Sequence, residues 1–399
     1  MADPIAWIPY GGYWSTPFVR WQGAFAELHS VEFASWTAKR ALAKRGIDTA
    51  LLDFGVLGMT VPQRGGFYGL PWLTGMMGAP HIAGPTIMQA CATSARCISM
   101  AALEVRGGAA QAALVVTADR VSNGPNIYYP APSALGGTGA TENWVLDNFA
   151  RDPFAGVAMV TTAENCAAKW SITREEQDDV TLMRRAQYDA ALADDRAFHR
   201  RFMDLPFDVP DPRFAKVIGP IAGDEGIQPA NPEKLRALKP VVAGGTVTFG
   251  GQTHPADGNA GMIVASRERT REISPDGPVI AILGVGQARV EPAFMPAAPV
   301  PASRRALDQA GLTIAEIDAV KSHNPFAVND IVFVRETGFD LAAMNNFGCS
   351  LVWGHPQAPT GMRALIELIE ELALRGGGRG LFHGCAAGDS AMAIVIEVR

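Results

Sequence analysis

The stretch "PTIMQACATSARCISMAALEVRGGAAQAALVVTAD" (Pro85–Asp119) decides the fold. Its opening, "PTIMQA" (Pro85–Ala90), is short and apolar, as a buried strand is. Cys91 to Val105 has a helical pattern, closed by Gly107 and Gly108 as a C-terminal stop. "AALVVTAD" (Ala112–Asp119) is an apolar run with paired valines, ended by polar residues, and predicts a second buried strand. Together they make a βαβ unit with a cysteine at its first turn. A thiol there faces unpaired backbone N–H groups and the positive end of the helix dipole, which predicts a lowered pKa. Ala92, Thr93 and Ser94 are small and leave space for a carbonyl. Buried free cysteine is also an ordinary packing residue, so this stretch alone does not separate a reactive Cys91 from a packing Cys97.

The bulk numbers narrow the class. The chain has 399 residues, 48% hydrophobic and 19% charged, with a net charge of −6. That fits a well-packed α/β protein and gives no basic surface for nucleic acid. No run of about 18 apolar residues marks a membrane span, and "MADPIAWIPYGG" is not a secretory leader. Five cysteines, without zinc-finger spacing, argue against a disulfide framework or a structural metal and for a reducing, cytoplasmic setting.

Working outward, the character changes after Arg120. "TREEQDDVTLMRRAQYDAALAD" (Thr173–Asp194) predicts an amphipathic helix, with Thr173 as N-cap and Glu176 completing a capping box. "GTVTFGG" (Gly245–Gly251) and "AGMIVASR" (Ala260–Arg267) predict strands. Helices follow at Pro301–Leu312 and Pro359–Gly378, with a final strand at Ala391–Val398. Strand, helix and strand recur in the same order in both halves. The expected organisation is a first half from residues 1–119 and 245–270, a substrate lobe at 120–244, and a second half at 271–399.

Three further polar clusters lie in the second half. "SHNPFAVND" (Ser322–Asp330) places His323 where an imidazole can donate to an oxyanion. "NNFGCSLVWGHPQAPTG" (Asn345–Gly361) holds His355 in a Gly-His-Pro turn before a helix, and a fixed imidazole near a thiol is the minimal activated-nucleophile pair. "FHGCAAGDSA" (Phe382–Ala391) puts Cys385 in a small-residue loop before the last strand, where a thiol of pKa near 8.5 moves protons at a carbon acid. Each taken alone also has a structural reading, as a core histidine, a capping histidine or a packing cysteine.

In this order the four clusters resemble the thiolase family: Cys91, the His323-Asn324-Pro325-Phe326 loop, the Gly354-His355-Pro356 turn and the Cys385-Ala386-Ala387 loop. "AMVTTAENCAAKWSITREEQD" (Ala158–Asp178) and "GTVTFGGQTHPADGNAGMIVAS" (Gly245–Ser266) are similar to further thiolase segments, so the likeness runs from about Ile5 to Glu397. It implies an α/β fold of two duplicated βαβαβαββ halves in five layers, α-β-α-β-α, with an inserted loop domain. It also implies an acyl-Cys91 intermediate, with His355 as the base for Cys91 and Cys385 as the second acid/base. One oxyanion hole would be His323 with His355; the other, the amides of Cys91 and Ala387. Met159, Phe326 and Asn324 would contact substrate. Coenzyme A enters as substrate, and neither metal nor tightly bound cofactor is needed. A homodimer or dimer of dimers is expected, with an apolar face at Val115–Val116.

Departures from the family pattern point to an unusual acyl group. Asn324 stands where His-led relatives of the sterol-carrier and archaeal type carry Asp, Trp353 is bulky, and Asp389 follows the cysteine loop. "NIYYPAPSALGG" (Asn126–Gly137) offers aromatic contacts to a bulky or aryl chain. The likeness to that subgroup extends to a benzoylsuccinyl-CoA thiolase subunit and to a small zinc-ribbon/OB-fold partner protein. Rival readings are a ketosynthase or hydroxymethylglutaryl-CoA-synthase-like enzyme, which would need no Cys385, and a non-catalytic thiolase-like subunit.

Overall fold

The computed structural model describes residues 3–399. Nine strands of its main sheet form one hydrogen-bonded path: Ala319–His323, Gly378–Ala386, Ser390–Val398, Val279–Arg289, Ala6–Pro9, Ala256–Ala265, Ala112–Arg120, Phe54–Gly58 and Thr86–Ile87. Trp7 joins the halves, pairing with Ala265 on one side and Ala281 on the other.

The two halves repeat one motif. Phe54–Gly58 leads through the helix Thr93–Arg106 to the parallel strand Ala112–Arg120, and Ala256–Ala265 pairs antiparallel to it. Likewise Ala319–His323 leads through the helix Ala358–Leu374 to the parallel strand Gly378–Ala386, with Ser390–Val398 antiparallel. The two crossover helices pack on each other in the middle layer. Ser30–Lys44 and Gly69–Met77 cover the first half's strands; Pro299–Ala310 and Ala327–Thr337 cover the second half's. This is the five-layered α-β-α-β-α arrangement that the sequence resemblance implies. Strands covered on both faces read as continuous apolar runs, which is why Ala112–Asp119 is buried at every position.

Small residues bring the central helices together. Ser94 Oγ donates to the Ala358 carbonyl, and a Cβ on Gly361 would lie 3.2 Å from Ser94 Cβ and 3.0 Å from the Phe382 ring. Ala358–Leu372 is buried throughout, Arg363, Glu367, Glu370 and Glu371 included. Buried charges survive when paired. Lys321 Nζ is 3.0 Å from Glu367, Arg363 bridges Glu367 (3.1 Å) and Asp224 (2.5 Å), and Tyr13 donates to Glu370 at 2.6 Å.

Several expectations need correction. Gly245–Gly251 is not a strand, because the Glu164 carboxylate captures the Thr246 and Val247 amides at 2.9 and 2.8 Å, removing the ladder donors. The crossover helix starts at Thr93 rather than Cys91. Val115 and Val116 are fully buried inside the sheet and form no outer face; the edge strand of this half is Thr86–Ile87. The helix Arg174–Ala191 does carry the Thr173–Glu176 capping box.

The lobe between Arg120 and Ala256 packs its helices Met159–Lys169 and Arg174–Ala191 against Ala327–Thr337. Its fully buried Arg184 is 2.8 Å from Asp330. Tyr128 and Tyr129 do not turn inward. They lie on an exposed hairpin where Tyr129 donates to Glu142 at 2.7 Å and Tyr128 accepts from the Gly139 amide at 3.2 Å, so they give no acyl pocket wall here. No helix among the described residues is long and apolar enough to cross a membrane.

Candidate active site

Cys91 lies in the turn before its helix. Ala90 beside it has a left-handed φ of 43°, a conformation costing alanine about 1–3 kcal/mol. Thr93 holds the turn, donating to the Ala90 carbonyl at 2.7 Å and accepting from the Gln89 amide at 2.9 Å. Cys91 as a residue is 9% exposed. The amides of Ala387 and of Cys91 itself point to this sulfur.

His355 reaches the same atom from the second half. Its Nε2 is 3.2 Å from Cys91 Sγ, and its Nδ1 is 2.7 Å from Thr360 Oγ1. The turn that delivers it needs Gly354, whose φ is 96° and where a Cβ would lie 2.8 Å from His254 Nε2. The His355 amide donates to the His254 carbonyl at 2.9 Å. Asp119, at the end of the first half's parallel strand, accepts from the Ala358 amide at 2.9 Å and from Thr60 and Val61, locking the two halves together beside the site.

His323 ends its strand stacked on His355, centroids 4.2 Å apart. Its Nδ1 is 2.9 Å from Ser350 Oγ, while its fully buried Nε2 has no partner. Cys91 Sγ and a nitrogen from each of the two rings lie within 4.8 Å of one another. Cys385 lies one residue past Gly384, the register partner of His323, and its sulfur accepts from Asn329 Nδ2 at 3.3 Å. It is close enough to Cys91 that charge on Cys91 raises the Cys385 pKa.

Burial dominates the electrostatics. It pushes the Cys91 thiol up to about 11, against the two amides that lower it. The expected depression by the helix terminus is therefore overturned: the helix begins two residues later, and desolvation of the thiolate outweighs the dipoles. Burial likewise pushes Cys385 well above the ordinary thiol range, away from the expected value near 8.5. It lowers His355 to about 3, with His254 adding to the effect, and holds His323 well below the ordinary imidazole range, with His355 and His383 contributing. The resting pair is thus a neutral thiol beside a neutral imidazole.

The remaining expected residues fall as follows. Ala387 lies in the three-residue turn after Ala386, where Gly388 and Asp389 have φ of 79° and 57°. The Asp389 carboxylate accepts the Ala293 and Phe294 amides at 3.0 Å each, which pins this turn and explains the acid there. Asn324, expected to touch substrate, has both ends of its amide engaged within the protein. Nδ2 donates to Asp330 at 2.8 Å, and Oδ1 accepts from Ser350 at 3.1 Å and Leu351 at 3.2 Å. Its place is structural, and Asp330 supplies the carboxylate the loop lacks. Phe326 precedes the helix Ala327–Thr337 and Met159 opens the helix Met159–Lys169; both pack on the main core. Cys97 is fully buried inside its helix. Sequence reasoning missed Ser350, Asp330, Asn329 and Thr360. All four lie within or beside the quoted clusters, but only the fold shows what they touch.

Residues 13–268 match the model of the thiolase N-terminal domain, and residues 277–398 that of the thiolase C-terminal domain. The chain belongs to the thiolase family. It is 29% identical over 387 residues to an acetyl-CoA acetyltransferase of Paracoccus denitrificans, covering 96% of this chain and 97% of that one. It is 28% identical to a steroid 3-ketoacyl-CoA thiolase of Mycobacterium tuberculosis, covering 94% and 90%. Among solved structures, human mitochondrial 3-ketoacyl-CoA thiolase in complex with CoA superposes with a TM-score of 0.88 at 25% identity, covering 99% and 98%. An acetyl-CoA acetyltransferase of Syntrophomonas wolfei gives 0.88 at 26%, covering 98% and 99%. This thiolase is accordingly an acyltransferase.

Proposed function

We propose that the chain cleaves a 3-oxoacyl-CoA with coenzyme A, or runs the reverse condensation, through an acyl group carried on Cys91. His355 Nε2, 3.2 Å from the sulfur, takes the Cys91 proton as the sulfur attacks the 3-oxo carbon. The carbon–carbon bond breaks, and the departing acyl-CoA enolate takes a proton from Cys385. The thiolate so formed at Cys385 then removes the proton of the incoming CoA thiol, whose sulfur attacks acyl-Cys91; the Cys91 thiolate expelled takes back the proton held on His355. His323 and His355 hold the enolate oxygen, and the amides of Cys91 and Ala387 hold the oxygen of the acyl-cysteine.

The single observation that carries this reading is the convergence at Cys91 Sγ. The His355 ring and the Ala387 amide both come to it from the second half, and Cys385 lies close by. A ketosynthase-like reaction has no task for Cys385. Retention of the whole set also favours a catalytic chain over a scaffold.

For the acyl group we propose a bulky or aryl 3-oxoacyl-CoA, benzoylsuccinyl-CoA first, supported by the departures from the family pattern in the turn that carries His355. Met159 and Phe326 are the proposed acyl-pocket residues. The proposed assembly is a homodimer or dimer of dimers, formed through the edge at Thr86–Ile87, where Met88 and Phe67 are exposed. A zinc-ribbon/OB-fold partner is the proposed helper chain. A thiolysis screen over short, aryl and dicarboxylic 3-oxoacyl-CoAs, with and without such a partner, tests this reading. No turnover of any of them would overturn it.

A further inference from the structure

His323 Nε2 is the one ring nitrogen of the stacked pair that has no partner, and it lies fully buried beside Cys91. A substrate oxygen can use it only if it carries a proton. In a neutral imidazole one nitrogen holds the proton and the other a lone pair, and the partner of the far nitrogen decides which. Here that partner is Ser350 Oγ, 2.9 Å from Nδ1.

The surroundings of Ser350 limit what its hydroxyl can do. It accepts from the Asn324 amide at 3.0 Å and has a single proton to give. Two acceptors compete for that proton, His323 Nδ1 at 2.9 Å and Asn324 Oδ1 at 3.1 Å. The orientation of the Asn324 amide is itself fixed. Its Nδ2 donates to the Asp330 carboxylate, which also takes Arg184, Ser322 and Asn345, so the carbonyl end must face Ser350. That carbonyl already receives the Leu351 amide at 3.2 Å. Asn324 therefore stays satisfied without Ser350, whereas a bare Nδ1 has Ser350 as its partner.

We infer that Ser350 is a positioning residue that sets the tautomer of His323, donating to Nδ1 so that Nε2–H faces the reacting oxygen. The inference rests on the thiolase reading of Cys91 and His323. No bond is made or broken at Ser350. The proton transfer proposed for Cys91 needs the opposite sense at His355, Nδ1–H toward Thr360 Oγ1 at 2.7 Å and a bare Nε2 toward the Cys91 thiol at 3.2 Å. The two stacked rings thus divide the work, one accepting a proton and the other donating a hydrogen bond.

The chain has seven histidines, so 15N-histidine labelling of the whole free enzyme gives a countable spectrum. The signal of ring 323 is identified by its loss in His323→Asn. Wild type and Ser350→Thr should show that ring protonated at Nε2, and Ser350→Ala should shift it toward a tautomer mixture. In turnover, Ser350→Ala should lose about 10- to 100-fold in kcat, the usual range for a residue orienting a reactive imidazole, and Ser350→Thr should recover most of it. A ring protonated at Nδ1 in wild type, or one unchanged in Ser350→Ala, would overturn the inference. The tautomer is read without substrate, so an enzyme inactive on every acyl-CoA fails the proposed function and leaves this test intact.

Discussion

The rings of His323 and His355 lie stacked, centroids 4.2 Å apart and planes 29° from parallel, although one ends a strand and the other occupies a Gly-Pro turn. Each lowers its affinity for a proton through burial, so the pair stays neutral and places two different nitrogens beside one sulfur. Removing one oxyanion donor typically costs about 10²–10³-fold in kcat. His323→Ala should show that loss in kcat with a much smaller change in KM, measured by steady-state thiolysis. A change confined to KM would place His323 outside the reacting centre.

The two thiols divide the reaction in time. Cys385→Ala should still acquire an acyl group at Cys91 from a reactive acyl-CoA, but should be blocked in condensation and thiolysis by about 10²-fold or more, the usual worth of a general acid/base. Single-turnover acylation and steady-state turnover, measured on the same variant, separate the steps. Full turnover by Cys385→Ala would return the site to the ketosynthase-like reading.

The Cys91 thiol is held near pKa 11 by burial. A raised acid pKa means the thiolate grows in with increasing pH and is scarce at neutrality. Alkylation of Cys91 in the free enzyme should therefore rise by about tenfold per pH unit from about pH 7 to about pH 10, with no plateau. A rate already level by about pH 8 would show a preformed thiolate and contradict the neutral resting pair.

Arg363 lies fully buried between the rings of Phe18 and Trp353, 4.9 and 4.6 Å away, and bridges Asp224 to Glu367. Trp353 adjoins the turn that delivers His355, so this cluster ties the lobe to the site. Arg363→Met would leave the buried Asp224 carboxylate without its cation, while Glu367 keeps Lys321, and should destabilise by about 3–5 kcal/mol. Denaturant unfolding followed by circular dichroism measures it. A loss under about 1 kcal/mol would mean the network relaxes around the gap.

Much of the fold was legible because local signals agreed with it. The apolar run at Ala112–Asp119, the Gly107–Gly108 stop and the Thr173 capping box each act through near neighbours. Gly245–Gly251 misled because its β-branched residues do match a strand. Only the fold shows that the Glu164 carboxylate, a distant residue, takes the amides a ladder would need. The charged positions of Ala358–Leu374 gave no sign of burial, since their partners Lys321 and Asp224 come from elsewhere in the chain. At the site, residue types with an evident reactivity, Cys91, His323, His355 and Cys385, stood out. Ser350 and Thr360 are ordinary hydroxyls until their distances to the two rings are known. The sign of the Cys91 pKa shift is not legible in the sequence, which shows a turn into a helix but not the depth of burial.

Acylation of Cys91 is the central claim, and mass spectrometry of the intact chain and of its peptides measures it most directly. After brief exposure to a 3-oxoacyl-CoA substrate and acid quench, the chain should gain one acyl group. The peptide bearing Cys91 should carry it, the group should be lost on adding coenzyme A, and Cys91→Ala should abolish it. An acyl group on another residue, or turnover without any acylated chain at Cys91, would contradict the account.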